Sequence, residues 1–172
     1  MNILALDLGT KTGWASRWAG RLNAGTWDFE QKKGPCCAVD PRLICFRHRL
    51  EESGDTFDLL AYEDVQFMRG RAQAFLWSGF RTVLWLFAHD HKIPIICCPV
   101  KTLKKYATGN GNSDKDAMAL AYYEKVQVGG LVTSVENFAN PGSALDDNAI
   151  DAWHLLHWAE SQPLTNPKNS TP

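Results

Sequence analysis

Four acidic side chains stand at positions that ordinary packing does not explain. Asp7 lies at the carboxyl end of the apolar run Asn2-Ile-Leu-Ala-Leu-Asp-Leu-Gly9. A carboxylate there must find a cation or strong donors. Glu63 ends a second apolar run, Leu59-Leu60-Ala61-Tyr62. Asp147 and Asp151 fall in the last apolar helical segment, Leu145-Asp-Asp-Asn-Ala-Ile-Asp-Ala-Trp-His-Leu-Leu156. At about 100° per residue these two lie ~40° apart on one face, Asn148 lies ~60° from Asp151 on the other side, and Asp146 lies ~140° away. Like charges at that spacing repel, so an offset is required. Asp146 and Asp147 also suit a helix N-terminus and its dipole, which accounts for Asp146 but not for Asp151. Turn capping is the corresponding ordinary role for Asp7 and Glu63.

Asp7, Glu63, Asp147 and Asp151 form an all-carboxylate set without Cys or His. Such a set suits hard, oxygen-preferring ions, Mg²⁺ or Mn²⁺. Two such ions ~3.5–4 Å apart can activate water and stabilise the leaving oxygen in phosphodiester hydrolysis. His154 and His157 follow Asp151 on the same segment. For His154 both packing and a role at the site stay open.

Strand ends are the natural place for such acids, because ligands of open α/β sheets bind at strand carboxyl ends. The apolar run ended by Gly9 predicts a buried strand. Gly13 to Trp18 and Arg21 to Phe29 predict two more, paired as an antiparallel meander around Ala19-Gly20. Helical spacing covers Pro41 to Glu52. Phe57 to Tyr62 and Ile93 to Cys98 read as strands, with a long helix from Gly70 to His91 between them. Val100 to Tyr106 is a short basic helix. Ser113 to Val126 is a helix capped by Ser113, with Asp116 completing a variant capping box. Gly129 to Pro141 is irregular, and Leu145 to Trp158 is the final helix. The order predicts an α/β fold with a mixed five-stranded sheet, the meander followed by parallel strands with helical crossovers. Residues 1–161 are expected to form one domain and 162–172, rich in Pro, Asn, Ser and Thr, a disordered tail.

The helix from Gly70 to His91 is apolar around nearly its whole circumference. It is therefore buried on more than one side, centrally or against a partner chain. Phe75, Leu76, Phe80, Leu84 and Phe87 are expected to face the sheet. Trp77, Val83, Trp85 and Leu86 then remain for a two-fold interface.

The chain has 172 residues, 45% hydrophobic and 22% charged, which excludes disorder as its main state. No apolar run reaches the ~18 residues of a membrane span. Asp7 breaks the apolar start, so no secretory signal is expected. Five cysteines, two pairs of them adjacent and none in a Cys-x-x-Cys, suit reduced thiols in a cytoplasm. Net charge is −1, but residues 66–105 carry seven basic side chains and one acid, so that segment is +6 and the rest −7. Such asymmetry is the footprint of a polyanion-binding face beside an acidic site, although solvated helix faces give the same pattern.

Four motifs occur in order: Asp-Leu-Gly-Thr-Lys-Thr-Gly-Trp at 7–14, Ala-Tyr-Glu-Asp-Val around Glu63, Thr-Gly-Asn-Gly-Asn-Ser-Asp-Lys at 108–115, and Asp-Asp-Asn-Ala-Ile-Asp-Ala at 146–152. Together they resemble the RuvC-type Holliday junction resolvases, especially their bacteriophage and prophage branch. The resemblance spans about residues 2–160. It implies a ribonuclease H-like fold, a homodimer through the 70–91 helix, and two-metal cleavage of branched DNA in a bacterial or phage-infected cytoplasm. Asp7, Glu63 and Asp151 match the family's acids. The partner acid often lies three residues before the last one, where this chain has Asn148; Asp147 takes that role on helix geometry. Lys104 and Lys115 match DNA-binding residues around the turn Gly109-Asn110-Gly111, with Lys105 beside them. Arg69 and Arg71 follow Glu63 closely and are further DNA-binding candidates. Where family members present a base-stacking aromatic, this chain has Gln66 and Phe67.

Three rivals share parts of this pattern. Asp7-x-Gly9-Thr10-x-x-Gly13 also resembles the first phosphate loop of actin-type and sugar-kinase ATPases, which need two such domains and a longer chain. A ribonuclease H acting on RNA–DNA hybrids shares the carboxylates and the fold. A non-catalytic DNA-binding or scaffold domain would not need the acids.

Overall fold

A computed structural model of the chain describes residues 1–31, 39–53, 57–66, 68, 70–128, 136–137 and 144–163. The expected tail is outside the described residues from 164 onward, as are Phe67 and Arg69.

The expected strands form one mixed sheet. β1 (Ile3–Asp7), β2 (Lys11–Trp18) and β3 (Arg21–Asp28) make the antiparallel meander, and β4 (Leu59–Asp64) and β5 (Ile95–Pro99) add in parallel on the other side of β1. A two-residue strand, β6 (Glu136–Asn137), pairs parallel with β3 and extends the order to β5-β4-β1-β2-β3-β6. It falls inside the stretch expected to be irregular. Two residues are too few to carry a periodic signal, and the open edge of β3 supplies their partners.

β1 is apolar throughout because both sheet faces are covered. Ile3 and Ala5 face one core, shared with α5 (Asp147–Glu160), while Leu4 and Leu6 face the other, shared with α1 (Pro41–Ser53) and α2 (Arg71–Asp90). Aromatic rings fill the second core: Phe46 meets Phe80 at 5.0 Å and Phe29 at 5.8 Å between ring centres. α3 (Val100–Thr108) and α4 (Lys115–Val128) pack beside α5.

The α2 wheel differs from expectation at two rings. Trp77 is buried and Phe75 is 67% exposed. Trp77 lies seven residues before Leu84, only ~20° from it on the wheel, and so joins the Phe80–Leu84–Phe87 stripe. Phe75 lies ~140° from Phe80 and faces away. Trp85 and Leu86 are exposed as expected, whereas Leu76 and Val83 are half-buried. The cap of α4 also shifts by one residue. Asp114, not Ser113, accepts the Ala117 N–H at 3.0 Å. Ser113 is held within the preceding turn, its hydroxyl 2.6 Å from that of Thr108 and 2.9 Å from the Asn110 carbonyl. Among the described residues no helix is long and apolar enough to cross a membrane.

Candidate active site

The first two acids meet through strand register. β1 and β4 are parallel, with Ala5 beside Ala61 and Leu6 beside Tyr62. Asp7 and Glu63 follow on the next rung and point to the same face, the one covered by α5. Their carboxyls lie close enough to share a proton in a hydrogen bond. Burial, then each other's charge and that of Asp151, hold Glu63 far above the usual carboxylate range. Burial and Asp151 raise Asp7 as well, against the hydrogen bond from Glu63 and the charge of Lys115.

Asp151 arrives from above the sheet. Asp7 pairs with Gly13 of β2, and Gly13 lies directly under the first turn of α5. Any Cβ there would collide with the Asn148 carbonyl. Glycine thus lets the helix start sit down on the sheet, one turn before Asp151. The Asp151 carboxyl is pushed up to about 6 by burial and by Asp147, with Lys115 and Lys104 acting in the opposite direction.

Asp146 has a structural task. It is the N-cap of α5, accepting the Ala149 N–H at 2.9 Å and the Thr26 hydroxyl at 2.6 Å. As a cap it lies outside the helical wheel, and its charge reaches Asp7. Asp147, the first helical residue, is 56% exposed at its side chain and pairs with Lys115 at 3.2 Å. His154 is fully buried, donating from Nε2 to the Met118 carbonyl at 3.0 Å, and burial pushes it down to about 4. It is a packed core histidine.

The basic candidates divide. Lys115 reaches the acids directly. Lys104 donates to the Ser113 carbonyl at 2.6 Å, tying down the turn between α3 and α4, and its charge favours ionised Glu63 and Asp151. Lys105 points to a different surface, lined by Lys101 and Tyr106. Arg71 lines a cleft of about 1210 Å³ that also contains Asp7, Gly9, Lys11, Arg42 and Asn148. Lys11 and Arg42 were not singled out in the sequence. The position of Lys11 between Asp7 and Gly13, where β2 begins, is a usable signal; Arg42, held by Asp40 at 2.6 Å, has none.

Among the described residues no three acidic, imidazole or thiol side chains stand together as a ready-made metal cage. Mg²⁺ does not need one: it keeps several waters and takes one or two carboxylates plus substrate phosphate oxygens. The Asp7–Glu63 pair, all oxygen, half-buried and open to the cleft at Asp7, fits that mode.

No protein-family model matches the sequence, and no curated protein matches it. Solved structures do match in fold. Thermus thermophilus RuvC is 19% identical with a TM-score of 0.61, over 90% of both chains. The T. thermophilus RuvC in complex with a Holliday junction substrate gives 17% and 0.63, again over 90% of both chains. The yeast mitochondrial Holliday junction resolvase Ydc2 is 14% identical with a TM-score of 0.55, over 89% of this chain and 75% of its own. The chain has the ribonuclease H-like fold of the RuvC-type resolvases.

Proposed function

We propose that this protein is a metal-dependent endonuclease that resolves four-way or other branched DNA junctions. The observation that carries the reading is the juxtaposition of Asp7 and Glu63 at adjacent strand ends, under Asp151, in a fold otherwise seen in junction resolvases. Asp7, Glu63 and Asp151 would hold Mg²⁺ or Mn²⁺, two ions per site, with Asp147 as the fourth carboxylate once it leaves Lys115. Such ions supply a nucleophile at neutral pH and neutralise the leaving oxygen.

The chain's own groups do the rest. The Asp7–Glu63 pair gives up its shared proton when the site is loaded, because ligating carboxyls must ionise. Lys115 and Lys104 face the phosphate from the α3–α4 side. Arg71 and Lys11 line the cleft that opens at Asp7. The buried floor beneath Asp7 limits bulk water and strengthens each charge interaction.

A homodimer supplies two such sites to the two equivalent strands of a junction. Its interface would be the exposed face of α2, with Phe75, Trp85 and Leu86 at its centre. Trp85 is held by Arg81, whose guanidinium lies 4.6 Å from the centre of its ring. The test is Mg²⁺-dependent cleavage of a synthetic four-way junction beside a linear duplex and an RNA–DNA hybrid. Junction cleavage by paired, symmetric cuts is the expected result. Preferential cutting of the hybrid would transfer the assignment to a ribonuclease H.

A further inference from the structure

Lys104 and Lys105 are neighbours in sequence but ~100° apart on α3, so they serve different surfaces. Lys104 faces the acids. Lys105 joins Lys101, four residues earlier, in an open groove of about 470 Å³ with Tyr106, Gly111, Trp158 and Gln162. No acidic residue lines this groove among the described residues. Lys125 adds a third cation, its Nζ 5.2 Å over the Tyr106 ring. The nearby Glu160 is committed elsewhere, to Arg17 and to His157 at 2.9 Å. Two like charges at i and i+4 with no counter-charge cost stability. A polyanion supplies the missing partner.

The groove is also built. The Tyr106 hydroxyl donates to the His157 carbonyl at 3.0 Å and fixes the ring. Gly111 leaves bare backbone in the wall, since a Cβ there would come within 3.0 Å of the Lys101 carbonyl. The turn that carries Gly111 also carries Ser113, the acceptor of Lys104. One turn therefore borders both the candidate active site and the groove, and a single strand can pass across it. Trp158 lies seven residues beyond Asp151 on α5, a displacement of roughly 10 Å at 1.5 Å per residue. The groove therefore lies within a few nucleotides of the acids along one strand.

We propose that this groove holds the sugar–phosphate backbone of a duplex arm of the substrate, within a few phosphates of the cut. The proposal rests on the reading of the protein as a branched-DNA nuclease and names a second contact for that DNA.

Binding of the full chain to four-way junctions and to linear duplex, across a salt series without divalent ions, tests it. Lys101→Ala/Lys105→Ala should retain the wild-type circular dichroism, because both side chains are exposed. The slope of log affinity against log salt should fall by roughly 1.8, two contacts at ~0.9 each. Junctions with uncharged methylphosphonates at the first few positions beside the cut should bind wild type more weakly and leave the double variant unaffected, the signature of direct coupling. An unchanged slope, or equal losses in both proteins on the modified junction, would overturn the groove. If wild type shows no preference for junctions over linear duplex, the junction reading fails instead. The slope comparison on linear duplex then still decides whether the groove contacts DNA.

Discussion

Gly13 lies against the backbone carbonyl of Asn148, so closely that no side chain fits between β2 and the first turn of α5. Gly13 is also the strand partner of Asp7. One residue without a side chain thus fixes the height of Asp151 above Asp7. Gly13→Ala should lift or tilt the helix start. Overpacking of this kind costs about 1–3 kcal/mol, which for a chain of this size lowers the melting temperature by several degrees. Cleavage should fall more steeply than junction binding, because the acids separate while the basic groups remain. Thermal melts and single-turnover cleavage of Gly13→Ala measure both effects.

Asp7→Asn, Glu63→Gln and Asp151→Asn should each remove most cleavage while the metal-free protein becomes more stable. The sign follows from the direction of the shifts. These carboxyls hold protons in the fold at pH values where the unfolded chain has released them. Stability of the metal-free protein therefore declines as pH rises from about 4 through the raised values. Glu63→Gln should flatten that decline most, with Asp151→Asn flattening the part below about 6. Melting temperature against pH, with and without Mg²⁺, is the measurement. A divalent ion should restore stability at the alkaline end.

Asp146 and Asp147 should separate cleanly. Asp146→Ala removes the cap and should cost about 1 kcal/mol, whereas Asp146→Asn keeps an acceptor and should be mild. Asp147→Asn breaks only an exposed pair with Lys115 and should hardly change stability. Its loss of cleavage should nevertheless exceed that of Asp146→Asn. Equal cleavage losses in the two asparagine variants would remove Asp147 from the set of metal-binding candidates.

The two lysines at the acids should also differ. Lys115→Ala should lower the salt slope of DNA binding by roughly 0.9. Lys104→Ala should lower it less, because that ammonium already donates to the Ser113 carbonyl. Its loss should instead move the acidic limb of the cleavage pH profile upward, since a cation favouring ionised Glu63 and Asp151 is gone. A pH profile of each variant at saturating DNA separates the two roles.

Wild type should sediment as a dimer at micromolar concentration, and Trp85→Glu/Leu86→Glu as a monomer that no longer makes paired cuts. Both side chains are exposed, so the folded core is spared. Trp77 is unsuitable for this purpose, because a charge there would enter the core between α2 and the sheet. A monomeric wild type that still resolves junctions symmetrically would overturn the dimer.

Much of this was legible in the chain itself. The apolar runs ended by Asp7 and Glu63 specify buried strands whose last residues are acids, because strand periodicity and burial are local properties of the sequence. The mixed sheet followed from the order of those runs and of the helices between them. The spacing of Asp147 and Asp151 puts both near one helix face for the same reason, but it does not say that Asp147 is exposed and paired with Lys115. Tertiary structure decided what local rules cannot reach. The second hydrogen bond to the Asp146 cap comes from Thr26, 120 residues away. Burial of Trp77 and exposure of Phe75 depended on how α2 is rotated against a core built from other elements. Which surface Lys104 and Lys105 each meet depended on where the turn at Gly111 folds back. Each of these is a long-range contact, and a one-dimensional pattern carries no information about which distant group will fill a given donor, acceptor or space.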